Sequence, residues 1–158
     1  MRPIKALALD VDGVLTDDKF WMGQDGTLQK RFSIRDRTGI LRALRGGLKI
    51  GLISGDSTPE GISILRNYAQ YLGIEDLWVG CHDKARALIE FASRYGLLME
   101  EIAFMGDDTI DVPGMNLVGL PAAPSDAHPD ALAVAKTITR NPGGSGAVRE
   151  LIDFLLKD

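Results

Sequence analysis

Short continuous apolar runs alternate along the chain with stretches of helical period, and this rhythm restricts the fold more than any other feature. Ile4 to Leu9 holds too few polar residues for a strand with one wet face. It reads as a central strand covered on both sides. Leu48 to Ile53, Leu77 to Val79 and Ile102 to Met105 are similar runs, with Leu117 to Leu120 and Thr137 to Thr139 as weaker ones. Helical faces fall between them. Thr58-Pro59-Glu60 combines a cap, a first-turn proline and an acid at the positive end of the dipole. Ile62, Leu65, Ala69 and Leu72 follow at one-face spacing and Gly73 ends the run. Ala85, Leu88, Ile89 and Ala92, closed by Gly96, form a second face; Val148, Leu151, Ile152 and Leu155 form a third. This order predicts an α/β fold, a parallel sheet flanked by helices. At 158 residues the chain, 1–158, is expected to be one domain around one core.

Between Val14 and Ile34 the helical period is absent, and Gly23-Gln24-Asp25-Gly26 sits in the middle. Phe20-Trp21-Met22 before it and Leu28 to Phe32 after it read as a β-hairpin, an insertion over about 14–34 that protrudes from the first strand. Exposed Phe20 and Trp21 would be costly in a monomer, which points to a subunit contact.

Composition removes other classes. Eighteen basic against 22 acidic residues give a net charge of −4 without a basic block, so no nucleic-acid partner is expected. No run approaches a membrane helix, so no membrane partner is expected either. Asp10 and Asp12 interrupt the only apolar stretch near the N-terminus, against a signal peptide, and a cytoplasmic location is the default expectation. The one cysteine, Cys81, excludes an internal disulfide and a CxxC zinc site.

The chemistry sits in two acid clusters. Asp10-Val11-Asp12-Gly13-Val14-Leu15-Thr16 directly follows the first strand, and Gly106-Asp107-Asp108-Thr109-Ile110-Asp111 follows Met105 at the end of the fourth. Ligands in open α/β sheets bind outside the carboxyl ends of strands. Asp10 and Asp12 can both face that crevice while Val11 turns to the core. Carboxylates so close repel unless a cation or a shared proton intervenes, and aspartate oxygens suit magnesium. One metal site shared by the two clusters is the expectation. Ser54-Gly55 ends the second strand and Lys84 begins the helix after the third. Both supply donors for the equatorial oxygens of a phosphoryl group.

The ordered set resembles the haloacid dehalogenase (HAD) superfamily, and within it the small phosphatases acting on 3-deoxy-D-manno-octulosonate 8-phosphate (KDO 8-phosphate). DVDGVLTD, the MGxxG hairpin turn, FSIRD, GDDTIDVPGM, DAHP and NPGGSGAVRE carry the resemblance over nearly the whole chain. It implies a Rossmann-like HAD fold without a large cap domain, and Mg2+-dependent hydrolysis of a phosphorylated 3-deoxy-2-ulosonic acid. It further implies Asp10 as nucleophile, Asp12 as general acid and base, and Mg2+ held by Asp10, the backbone carbonyl of Asp12 and Asp107. Asp108 and Asp111 would orient water or neighbouring groups, and Ser54, Gly55 and Lys84 would hold phosphate. A homotetramer is implied, with hairpins packed together and a neighbour covering the site; the GGSG segment near Arg140 is a candidate part of that cover.

Two stretches depart from the family. The second strand is usually followed by S/T-G-R, and here it is Ser54-Gly55-Asp56. The RDG-aromatic-G stretch reads Arg35-Asp36-Arg37-Thr38-Gly39, so Arg37 is a candidate for the missing positive charge. Lys30 is a candidate contact for a substrate carboxylate or a solvated strand residue, and Arg35 and Arg140 are further substrate candidates. These departures leave a nine-carbon ulosonic acid phosphate as a close competitor for the substrate. Two other readings stand beside the main one: a catalytically inactive HAD scaffold, and a receiver-like domain with a phosphoacceptor aspartate.

Overall fold

A computed structural model describes residues 2–157. Strand β1 (Ala6–Asp10) lies inside a six-stranded sheet, with β4 (Lys49–Ile53) on one side and β6 (Ile102–Met105) on the other. Beyond β4 lies β5 (Asp76–Trp78); beyond β6 lie β7 (Leu120–Ala123) and β8 (Thr137–Ile138). Every pairing in this sheet is parallel.

All five residues of β1 are buried, because both faces of the strand are covered. Leu7 and Leu9 face a layer built by α1 (Ile34–Arg45), α2 (Pro59–Leu72) and α6 (Ala147–Leu155). Ala6 and Ala8 face the other layer, from α3 (Lys84–Tyr95), α4 (Val112–Met115) and α5 (Pro129–Val134). The small alanines on that side accommodate Phe91 and Phe104, both fully buried. This is the doubly covered Rossmann-like sheet that the apolar runs predict, with no large cap domain among the described residues.

The hairpin is β2 (Phe20–Met22) paired antiparallel with β3 (Leu28–Lys30). Gly23 donates to the Thr27 carbonyl across the turn, and Gly26 takes φ +82°. Trp21 is 73% exposed and its neighbours Phe20 and Met22 are exposed too.

Three elements differ from the sequence reading. Helix α1 carries no clear apolar stripe: its buried positions are Asp36, Gly39, Ile40 and Ala43, so half of them are acid or glycine. At Gly39 α6 packs close, since a Cβ there would lie 2.9 Å from Arg149 Cδ. The strand placed at Leu117 to Leu120 begins only at Leu120, because Val112–Met115 is helical and Gly119 turns to donate to the Met99 carbonyl. Helix α5 is six residues, too short to show a period.

Candidate active site

The strands β1, β4 and β6 end side by side, and residues at or beyond their ends, with Lys84 from α3, line one cleft of about 340 Å3. Asp10, Asp12, Asp18, Asp56, Asp107, Asp108 and Asp111 line it together with Ser54, Gly55 and Lys84. Here the chain leaves the sheet at the switch point where β4 and β6 flank β1 on opposite sides.

Asp10 is almost fully buried and Lys84 reaches it from the first turn of α3, with the ammonium bonded to one Asp10 oxygen. The same ammonium donates to Asp111 Oδ1 at 2.5 Å. Asp111 is buried completely, and its other oxygen accepts the backbone N–H of Asp107 (2.9 Å) and of Asp108 (3.1 Å). Asp111 thus fastens the β6 loop to Lys84. Its oxygens lie within 4.8 Å of oxygens from Asp10 and Asp107.

Burial pushes the Asp10 carboxyl up to about 6, against the pull of the Lys84 ammonium. Burial pushes Asp107 up to about 9, with the negative charge of Asp10 as the next cause. For Lys84, burial disfavours the ammonium, but Asp10 and Asp111 outweigh it and hold its pKa above the ordinary lysine range. Two carboxyls raised side by side fit a divalent cation shared between them. The cleft wall carries seven carboxylates and one ammonium, so a phosphate dianion needs further positive charge to enter. Asp10 and Asp107 offer oxygen donors of the kind magnesium accepts. Gly13 leaves room for Asp107: with φ +91°, a Cβ there would sit 1.9 Å from Asp107 Oδ2.

Asp12 is held at both oxygens. Thr16 Oγ1 donates to Oδ1 at 3.2 Å, and Lys30 Nζ donates to Oδ2 at 2.7 Å. Lys30 also donates to Asp56 Oδ2 at 2.8 Å. Asp56 sits over the first turn of α2, where Thr58 donates through its N–H (3.0 Å) and hydroxyl (2.7 Å) to Oδ1. Ser54 Oγ accepts the Asp56 N–H at 3.1 Å, which leaves its own proton free to donate into the cleft.

The structure therefore brings together Asp10, Asp12, Ser54, Gly55, Lys84, Asp107, Asp108 and Asp111. Lys30 stands behind Asp12 and Asp56 rather than in the cleft wall. Arg37 stays outside the cleft, bonded to the Tyr71 hydroxyl with its guanidinium 5.5 Å from that ring's centre. The cation facing Asp56 is Lys30. Arg35 and Arg140 line a separate, larger cavity of about 800 Å3 beside α6. Asp18, which the sequence reads as a solvated hairpin charge, lines the cleft, and Thr16 bonds Asp12. Thr16 has a signal in retrospect, since it is four residues beyond Asp12 within the same motif.

The glycine tail closes this region from behind. Gly144 donates to the Val14 carbonyl at 2.9 Å, and a Cβ at Gly143 would lie 1.8 Å from the Gly13 carbonyl oxygen. Asp36 anchors the tail by accepting from Arg149 N (2.8 Å) and Gly146 N (3.3 Å).

Known proteins are similar to this chain in sequence and fold. The family model for haloacid dehalogenase-like hydrolases matches residues 73–151. The KDO 8-phosphate phosphatase of Escherichia coli K12 is 39% identical over 153 residues, covering 97% of this chain and 79% of that protein. The chain belongs to the haloacid dehalogenase-like hydrolase family. Two solved structures are similar over nearly the whole chain. The KDO 8-phosphate phosphatase of Yersinia pestis superposes with a TM-score of 0.92 at 39% identity, over 98% of this chain and 81% of that one. The Moraxella catarrhalis enzyme, solved with a magnesium ion, a phosphate ion and KDO, gives 0.91 at 31%, over 97% and 86%. Within the HAD family the receiver-like reading falls away.

Proposed function

We propose that this chain is a Mg2+-dependent phosphomonoester hydrolase that works through an aspartyl-phosphate on a phosphorylated 3-deoxy-2-ulosonic acid, KDO 8-phosphate first among them. The observation that carries the reading is the meeting of Asp10, Ser54 and Asp107 at three adjacent strand ends with Lys84 from the start of α3. Identity to KDO 8-phosphate phosphatases over nearly the whole chain supports the substrate class.

Asp10 attacks phosphorus through a carboxylate oxygen; that P–O bond forms as the ester P–O bond breaks. Asp12, after taking up a proton from solvent, gives it to the departing alkoxide. It then takes a proton from the water that attacks the phosphoryl group, and the bond to Asp10 breaks to release phosphate. Lys84 and Ser54 hold phosphoryl oxygens, with Gly55 letting the backbone come close. Asp10, the Asp12 carbonyl and Asp107 would hold Mg2+, which neutralises phosphoryl charge when bound. Asp111 keeps Lys84 and the β6 loop in register, and Asp108 orients groups at the rim. A cytoplasmic location belongs to the same proposal.

The exposed Phe20-Trp21-Met22 edge fits a homotetramer whose hairpins pack together, the further part of this reading. The test of substrate is a panel of eight- and nine-carbon ulosonic acid phosphates against simple sugar phosphates, with Mg2+ present. A preference for the keto-acid esters supports the reading. Equal rates across the panel would remove the ulosonic acid and leave only the phosphatase.

A further inference from the structure

The ion pair between Lys30 and Asp56 has no assigned role in the chemistry above. Lys30 lies on β3 of the hairpin, yet its side chain is only 3% exposed. Its ammonium bridges Asp12 and Asp56 at 2.7 and 2.8 Å. Each partner is fixed from its far side: Asp12 by Thr16, Asp56 by Thr58. Gly61 in α2 makes room for the Asp56 carboxylate, since a Cβ there would lie 2.0 Å from Oδ2. The result is a line of contacts from α2 through Asp56 and Lys30 to Asp12.

We infer that Asp56 is a positioning residue that, through Lys30, sets the orientation of Asp12 for proton transfer to the leaving group. Asp12 has a rotatable side chain on a loop, and the Thr16 contact alone secures one oxygen. The Lys30 ammonium secures the other, and Asp56 fixes where that ammonium stands. The Lys30 ammonium is enclosed while the Asp12 side chain stays 36% exposed, and the arrangement is geometrically demanding because both carboxylates must meet one nitrogen. The hairpin thereby reaches the catalytic centre through one buried side chain. The inference rests on the proposed role of Asp12, and it assigns Asp56 no contact with the sugar.

Proton donation matters most for poor leaving groups. The test is a series of substituted phenyl phosphates, from p-nitrophenyl phosphate to phenyl phosphate, which carries no sugar to contact. Wild type and Asp56→Asn are compared by the dependence of kcat/KM on leaving-group basicity. The expected result is a steeper dependence in Asp56→Asn: p-nitrophenyl phosphate falls by less than about threefold, phenyl phosphate by about tenfold or more. Asp56→Glu restores the wild-type slope in part. Lys30→Met reports from the other end of the contact, so a folding failure in one variant leaves the other to decide. The double variant loses no more than the worse single one. An equal fall across the series, an unchanged slope, or a loss confined to ulosonic acid phosphates would each overturn the inference. Absence of Mg2+-dependent turnover in wild type, by contrast, would overturn the phosphatase reading itself.

Discussion

Gly13 and Asp107 occupy the same space in turn: where Gly13 lacks a side chain, the Asp107 carboxylate enters, 1.9 Å from the position a Cβ would take. The two residues belong to loops after different strands, β1 and β6. Their contact is what sets the two acid clusters against each other.

Gly13→Ala should therefore displace Asp107, since φ +91° at Gly13 also resists a side chain. Mg2+ affinity measured by titration calorimetry should fall at least about tenfold, in line with a displaced ligand carboxylate. Wild-type affinity in this variant would show that Asp107 does not hold the cation.

The raised carboxyls give a stability prediction with a definite sign. Asp10 and Asp107 ordinarily titrate near 3.8 and rise in the fold to about 6 and about 9. A raised pKa means the metal-free fold keeps protons that the unfolded chain releases. The contribution of these groups is complete below about pH 4 and is lost as pH rises through 6 and then 9. Bound Mg2+ replaces those protons. The rise in Tm on adding Mg2+ should accordingly be larger at pH 8 than at pH 5. An equal rise at both values would contradict the carboxylate assignment.

The chemistry was far more legible in the sequence than the supports around it. Asp10, Asp12 and Asp107 stand at or just beyond strand ends that apolar runs mark clearly, and Lys84 opens the helix after another strand, so alternation alone delivers them to one cleft. Helix α1 left no such mark, because its contact with α6 uses Gly39 and its buried acid Asp36 caps the start of α6. Strand β7 was misplaced because it carries Pro121 and ends before Pro124, residues that read as loop. The Lys30–Asp56 pair joins positions 26 residues apart, and no local pattern reports a contact of that range.

The hairpin should control assembly. Trp21→Lys puts a charge in the centre of the exposed Phe20-Trp21-Met22 edge. Analytical ultracentrifugation should show a tetramer for wild type and smaller species for the variant. A monomeric wild type, or an unchanged variant tetramer, would remove the hairpin from the interface.

The most direct measurement concerns Asp10. Phosphate release from KDO 8-phosphate should require Mg2+ and fall by at least about a thousandfold in Asp10→Asn, since loss of a nucleophile removes the covalent route. Rapid quenching of wild type during turnover should trap one acid-stable, hydroxylamine-sensitive phosphoryl group on the peptide containing Asp10. Wild-type turnover in Asp10→Asn, or a label carried elsewhere, would contradict the account.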